Sequence, residues 1–221
     1  MVDTVIGKRE ANKQGTRAAL KAAANRLFEE HGYAATTVRE IAAAAGVTER
    51  TFFRYFDGKE DLVVDEVLAW VPRLQQAIRD RPAEEPPLVA VRAALGQLGA
   101  AARATSQPSP LRLFADSLPA QRAGRSGRRL SPAMLLGIED DLAAALGDRL
   151  PADTSDETSD VRGTTDRDFR AALLARVTLA VLRTAIIHDR ALRQADTTER
   201  PAVSELIDQA FAALGVTTAA G

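Results

Sequence analysis

Apolar positions along this chain recur at three- and four-residue intervals, and strict alternation is confined to short runs, so the pattern predicts an all-α protein. Residues 1–14 are polar and lack periodicity, which predicts a flexible arm whose basic residues are Lys8, Arg9 and Lys13. From Thr16 the pattern changes. Leu20, Ala23, Ala24, Leu27 and Phe28 fall on one helix face, and Gly32 is placed to end that helix as a left-handed cap. Thr37 with Glu40 then forms the T-x-x-E signal of a capping box. Val38, Ile41, Ala42 and Ala45 share the face of the helix it starts, and Gly46 stops that helix after about two turns. Thr48 caps the next helix, expected over 49–56.

Two short helices joined by a tight turn are the helix-turn-helix arrangement, in which the second helix enters the DNA major groove. The aromatic residues support it. They make up 5% of the chain, yet Phe52, Phe53, Tyr55 and Phe56 lie together with Arg50 and Arg54 among them. At about 100° per residue, Phe52 and Phe56 share one side of the helix. Arg50 and Arg54 point nearly the opposite way, with Thr51 and Tyr55 on one flank and Glu49 and Phe53 on the other. So short a helix needs buried anchors. Phe52 and Phe56, packed on Leu27, Phe28 and Ile41, supply them and leave the arginines outward for DNA. Tyr55 is either core or a phosphate-binding hydroxyl. Asp57 with Glu60 reads as a further cap signal, and Lys59, opening the next helix, suits a DNA phosphate.

A helix over 59–78 carries the stripe Leu62, Val63, Val67, Trp70, Val71 and Leu74, with Pro72 expected to kink it. Helices follow at 88–104 and 111–118. Residues 119–131, rich in Gly and Arg, read as a weakly structured connection or a frayed helix. Ser131 and Pro132 start a helix to about Leu146, and residues 151–165 read as a polar, acidic loop. A long helix over 166–194 is expected to bury Phe169, Leu173, Leu174, Val177, Val181 and Ile187, and a last helix spans 203–214.

Composition changes this picture little. The 221 residues carry a net charge of −1 and no cysteine, which removes disulfides and thiolate chemistry. Residues 1–60 hold 10 Lys/Arg and 8 Asp/Glu, a net of 10 − 8 = +2, so any attraction to nucleic acid is local. No secretion signal and no uninterrupted apolar run of membrane-spanning length is apparent, since Arg183 breaks 177–187. A cytoplasmic protein without a membrane partner is expected. His31 and His188 are the only histidines, neither beside a convincing nucleophile. Glu139, Asp140 and Asp141 are adjacent and diverge in direction. With no catalytic, metal or cofactor motif in view, an enzyme is disfavoured.

The stretch TTVREIAAAAGVTERTFFRYFDGKEDL resembles the DNA-binding segment of the TetR family of bacterial transcriptional repressors, and AALKAAANRLFEEHGYAATTV resembles the family's first helix. The resemblance covers about residues 16–64. It implies a homodimer, cofactor-free, with a three-helix DNA-binding domain at 15–58 and a larger effector-binding and dimerisation domain at 59–221. A small-molecule effector would spread the two recognition helices away from a palindromic double-stranded DNA operator. Thr37 would bond a phosphate, Thr48, Arg50 and Thr51 would lie near base edges, and Phe53, Arg54, Tyr55 and Lys59 would line the phosphate rim. Phe53 and Arg54 stand where the family often has tyrosine, and Glu49 where lysine is common. Glu49 either accepts from a cytosine amino group or favours the helix dipole. The last two helices would form the dimer interface. Trp70, Leu113, Phe114 and Met134 would line an effector pocket, and Arg112, Arg122, Arg125, Arg128 and Arg129 would either attract an anionic ligand or form a solvated basic loop. Two alternatives stay open: a ligand-binding dimer whose helix-turn-helix does not read DNA, and an activator of the same fold.

Overall fold

The computed structural model describes residues 3–104, 109–122, 131–151, 160–195 and 201–216. Among them are nine helices: α1 (Asp3–His31), α2 (Val38–Ala44), α3 (Glu49–Phe52), α4 (Lys59–Arg79), α5 (Pro87–Ala104), α6 (Pro110–Arg122), α7 (Pro132–Gly147), α8 (Asp160–Gln194) and α9 (Val203–Ala213). The all-α expectation holds for the described residues.

Several helices depart from their expected bounds. α1 begins at Asp3, so the segment expected as a flexible arm is helical. Its residues Lys8, Arg9, Glu10, Ala11, Lys13 and Gln14 are good helix formers without an apolar face. Propensity extends the helix there, and residues 11–15 are exposed. α6 runs on to Arg122, into the start of the segment 119–131 expected as a connection or frayed helix, and α8 starts at Asp160, inside the expected loop. Arg125, Arg128 and Arg129 lie outside the described residues, as does most of the connection they occupy.

The chain divides into two compact units, and the division differs from the expected one. The first unit contains α1 to α3, α4 as far as Glu66, and α6. Its core gathers Leu20, Leu27, Phe28, Tyr33, Ile41, Phe52, Phe56, Leu62, Val63 and Leu113, with Phe114 and Tyr55 packed against it. A boundary at residue 58 therefore cuts through this core, because α4 and α6 each supply side chains to it. Leu113 and Phe114, expected beside an effector, are packing residues here.

The second unit contains the rest of α4, α5, α7, α8 and α9. Arg149 closes the α4–α5 turn. Its guanidinium donates to the carbonyl oxygens of Ile78 (3.0 Å), Arg81 (3.0 Å) and Glu85 (3.2 Å), and also to that of Pro82. Arg167 of α8 donates to the Gly147 carbonyl at 2.6 and 3.1 Å, capping α7, and Arg176 pairs with Glu139 at 3.1 Å. Arg92 of α5 donates to Asp208 of α9 at 2.7 Å and to the Val216 carbonyl at 3.0 Å.

The buried face of α8 agrees only in part with the one expected: Val181 is buried and Leu174 and Val177 are half-buried. Ala171, Ala175, Thr178, Val181, Leu182, Ala185 and Ile186 are buried, whereas Phe169, Leu173 and Ile187 are exposed on the single chain. The helix is apolar on two sides, so the periodicity alone did not choose between them. Residues Asp166–Arg193 are long and apolar enough to cross a membrane by length and composition, a property shared with core helices, and α8 packs on α7, α9 and α5.

Candidate nucleic-acid interface

The capping box at α2 forms as its sequence requires. The Glu40 N–H donates to Thr37 Oγ1 at 3.2 Å, the Thr37 N–H donates to Glu40 Oε2 at 2.8 Å, and the Thr37 hydroxyl donates to the same oxygen at 2.7 Å. The Thr37 hydroxyl, first of all, and then its backbone N–H hold the Glu40 carboxyl below the usual carboxylate range. The helix ends in a turn that only glycine adopts freely. Gly46 has φ +70°, and the Val47 N–H returns to the Ala42 carbonyl at 2.9 Å.

Thr48 caps α3. Its Oγ1 accepts from the Thr51 N–H at 3.1 Å and lies 3.0 Å from the Thr51 hydroxyl, so the two threonines are bonded to each other. α3 is shorter than the expected 49–56. It ends at Phe52, and the chain tightens through N–H donations from Arg54 to the Thr51 carbonyl and from Tyr55 to the Phe52 carbonyl. Such i to i+3 bonds are the common way a helix satisfies its last carbonyls. The tightening still returns Phe56 to the core, with the Phe52 and Phe56 ring centres 5.6 Å apart.

The outward surface carries Thr37, Thr48, Glu49, Arg50, Phe53 and Arg54, all exposed, with Thr51 and Tyr55 half-buried. Arg54 lies along Tyr55. Its guanidinium carbon is 5.3 Å from the ring centre, and Nη2 donates to the phenol oxygen at 3.4 Å. That bond favours the ionised phenol and holds the Tyr55 pKa below its usual value. The phenol is thus on the surface beside a cation, and only its ring packs on the core.

Lys59 corrects its sequence reading. Its ammonium is turned inward, donating to the carbonyl oxygens of Tyr33 (2.6 Å), Thr36 (2.8 Å) and Ala34 (3.4 Å). Burial lowers its pKa, against the opposing charges of Glu60 and Glu40. The ammonium that was expected to meet a phosphate instead satisfies the turn between α1 and α2. The cap expected from Asp57 and Glu60 is also displaced by one residue. The Asp57 N–H donates to Asp61 Oδ2 at 2.7 Å, and Glu60 turns inward to accept from the Tyr33 hydroxyl at 2.9 Å. Burial, with Glu60 adding to it, pushes the Tyr33 phenol pKa up.

Residues not singled out from sequence complete the platform. Arg17 and Lys21 of α1 pair with Asp65 and Glu66 of α4, Lys21 to Glu66 at 3.2 Å, and the Arg17 guanidinium carbon stands 4.9 Å from the Phe56 ring centre. Long-range pairs like these leave no local pattern. Of the residues placed beside an effector, Trp70 and Met134 are half-buried in the second unit, Leu113 and Phe114 belong to the first, and Arg112 is exposed.

Comparison with known proteins agrees with this geometry. Residues 20–65 match the family described as "Bacterial regulatory proteins, tetR family". The HTH-type transcriptional regulator TcmR of Streptomyces glaucescens is 40% identical over 96 residues, 42% of each chain. The HTH-type transcriptional repressor KstR2 of Rhodococcus jostii (strain RHA1) is 47% identical over 58 residues, 26% of this chain and 28% of the relative. The chain thus spans less than half the length of either relative. The crystal structure of Thermus thermophilus FadR, a TetR-family repressor in complex with lauroyl-CoA, superposes with a TM-score of 0.54 at 18% identity, over 93% of this chain and 96% of that one. At that identity the likeness is one of fold.

Proposed function

We propose that this chain is a sequence-specific DNA-binding repressor of the TetR family, released from a palindromic operator by a small-molecule effector. The observation that carries the reading is the division of α3 and its turn into two sides. Phe52 and Phe56 are buried, and Arg50 and Arg54 stand exposed on the other side. A helix N-capped by Thr48 and anchored by two rings presents those arginines at a fixed angle, as entry into a major groove requires.

In this reading Arg50 reads base edges, with Thr48 and Thr51 holding the end of the helix that carries it. Arg54 and the Tyr55 phenol meet phosphates. Thr37 reaches a phosphate by turning its hydroxyl proton away from Glu40. The small net charge of residues 1–60 means few phosphate contacts, so tight binding needs two linked reading heads.

The protein acts as a homodimer in the cytoplasm. Support for the dimer comes from α8, where Phe169, Leu173 and Ile187 are exposed, and from Leu135 and Leu136 on α7. α9 turns Glu205, Asp208 and Gln209 outward and contributes Leu214 just beyond its end. The second copy is therefore placed chiefly against α8, with α9 and α7 at its margins. The effector is placed in the second unit, where Trp70 and Met134 are its candidate contacts.

Selection of bound sequences from a random duplex pool at near-physiological salt tests this function. An enriched palindrome is the expected result. A folded dimer that enriches nothing would favour a ligand-binding protein whose helix-turn-helix does not read DNA. Placing the enriched site against a promoter in a reporter strain separates repression from activation.

A further inference from the structure

We propose that Glu49 and Phe53 act as a paired base reader, the carboxylate accepting from a cytosine N4 amino group and the ring covering the C5-methyl of a thymine. This rests on the DNA-binding reading above and deepens it. The two residues are one turn apart on the same flank of α3, with the Phe53 N–H donating to the Glu49 carbonyl at 3.0 Å.

Phe53 is 52% exposed, the only large hydrophobic so exposed among the described side chains of the first unit. It is not loose. Its ring meets the buried Phe52 ring edge to face, at 82° and 5.4 Å between centres. A fixed, uncovered ring on the helix that faces DNA has no hydrogen bond to offer, and the apolar feature of the major groove is the thymine methyl.

Glu49 is exposed at the start of the same helix. A carboxylate only accepts, and phosphates repel it, so a contact with DNA must be to a base donor. The major groove offers two, the amino groups of cytosine and adenine. Adenine carries the N7 acceptor beside its amino group, which opposes a carboxylate, whereas cytosine has a C–H in the corresponding place. The neighbouring hydroxyls of Thr48 and Thr51 are bonded to each other, and Glu49 is the charged acceptor at the start of that helix.

The test uses the full chain and its variants Glu49→Ala and Phe53→Ala, both exposed positions whose loss leaves the core intact. Wild-type protein is selected on random duplexes, and the enriched duplex is then remade with each cytosine replaced in turn, or with uracil for each thymine. One cytosine replacement should weaken wild-type binding roughly tenfold and Glu49→Ala little. One uracil replacement, which removes only a methyl, should weaken wild type several-fold and leave Phe53→Ala unchanged. Identical base preferences in wild type and both variants would overturn the pairing while leaving DNA reading intact. Failure of the wild type to enrich any sequence would overturn both.

Discussion

The Lys59 ammonium lies 4.3 Å from the centre of the Tyr33 ring and donates to Tyr33's own carbonyl oxygen at 2.6 Å. One residue therefore holds another from both sides, across the turn that carries the chain from α1 into α2. Nearby residues strengthen the arrangement, since Glu60 accepts from the Tyr33 hydroxyl and the Thr36 hydroxyl donates to the Gly32 carbonyl at 2.8 Å.

Lys59→Met should accordingly lower stability by about 2 kcal/mol, the scale of losing hydrogen bonds to a charged donor. The decline of DNA affinity with salt should keep its slope in the folded variant. Thermal unfolding and a salt series check the two together. A shallower slope would return Lys59 to the phosphate rim.

Thr48→Ala removes the α3 cap and should cost about 1 kcal/mol, with Thr48→Ser recovering most of it. Because Thr48 acts on the helix that carries Arg50, affinity should fall for every duplex while base preference stays. Competition between the selected site and random DNA measures this. A change of preferred base would make Thr48 a reader in its own right.

The α2 cap should weaken in acid. Glu40 has a folded pKa below its ordinary value, so its contribution is fully present above the unfolded pKa of about 4.3 and is lost as pH falls through the folded one. An NMR titration of the Glu40 carboxylate should show a low midpoint, and Thr37→Ala should move it up. An unmoved midpoint would mean that the Thr37 bonds are not its cause.

Leu173→Glu places a charge on the exposed apolar side of α8, opposite the buried Ala175 and Thr178 stripe. Light scattering should give a monomer mass, and circular dichroism should show the helices retained. A dimer that survives this change, and Phe169→Asp beside it, would put the second copy elsewhere.

Much of the first unit was legible because its signals are local. A threonine three residues before a glutamate, a glycine after an alanine run and two phenylalanines four apart each act within one turn. The inward setting of Lys59 was not legible for the opposite reason. Its partners, Tyr33 and Thr36, are more than twenty residues away, and a lysine opening a helix looks the same whether it faces solvent or folds back. The same distance hid Arg17 with Asp65, and the place of Leu113 in the core of the first unit. α1 began earlier than expected because propensity extended it without an amphipathic pattern. In α8 the difficulty was excess signal, since apolar residues on two faces gave two self-consistent stripes.

Arg149 has a consequence for the order in which this protein can be completed. The carbonyl of Glu85 that it holds lies 64 positions earlier in the chain. During synthesis the turn after α4 emerges long before its clasp, and its carbonyls stay with water until α7 has been made and docked. The second unit therefore cannot finish folding piece by piece from its beginning, whereas the cap and turn bonds of α2 and α3 close within a few residues of being translated. A ribosome partway along the chain would hold a protein with its turn signals already set and its second unit still unlatched.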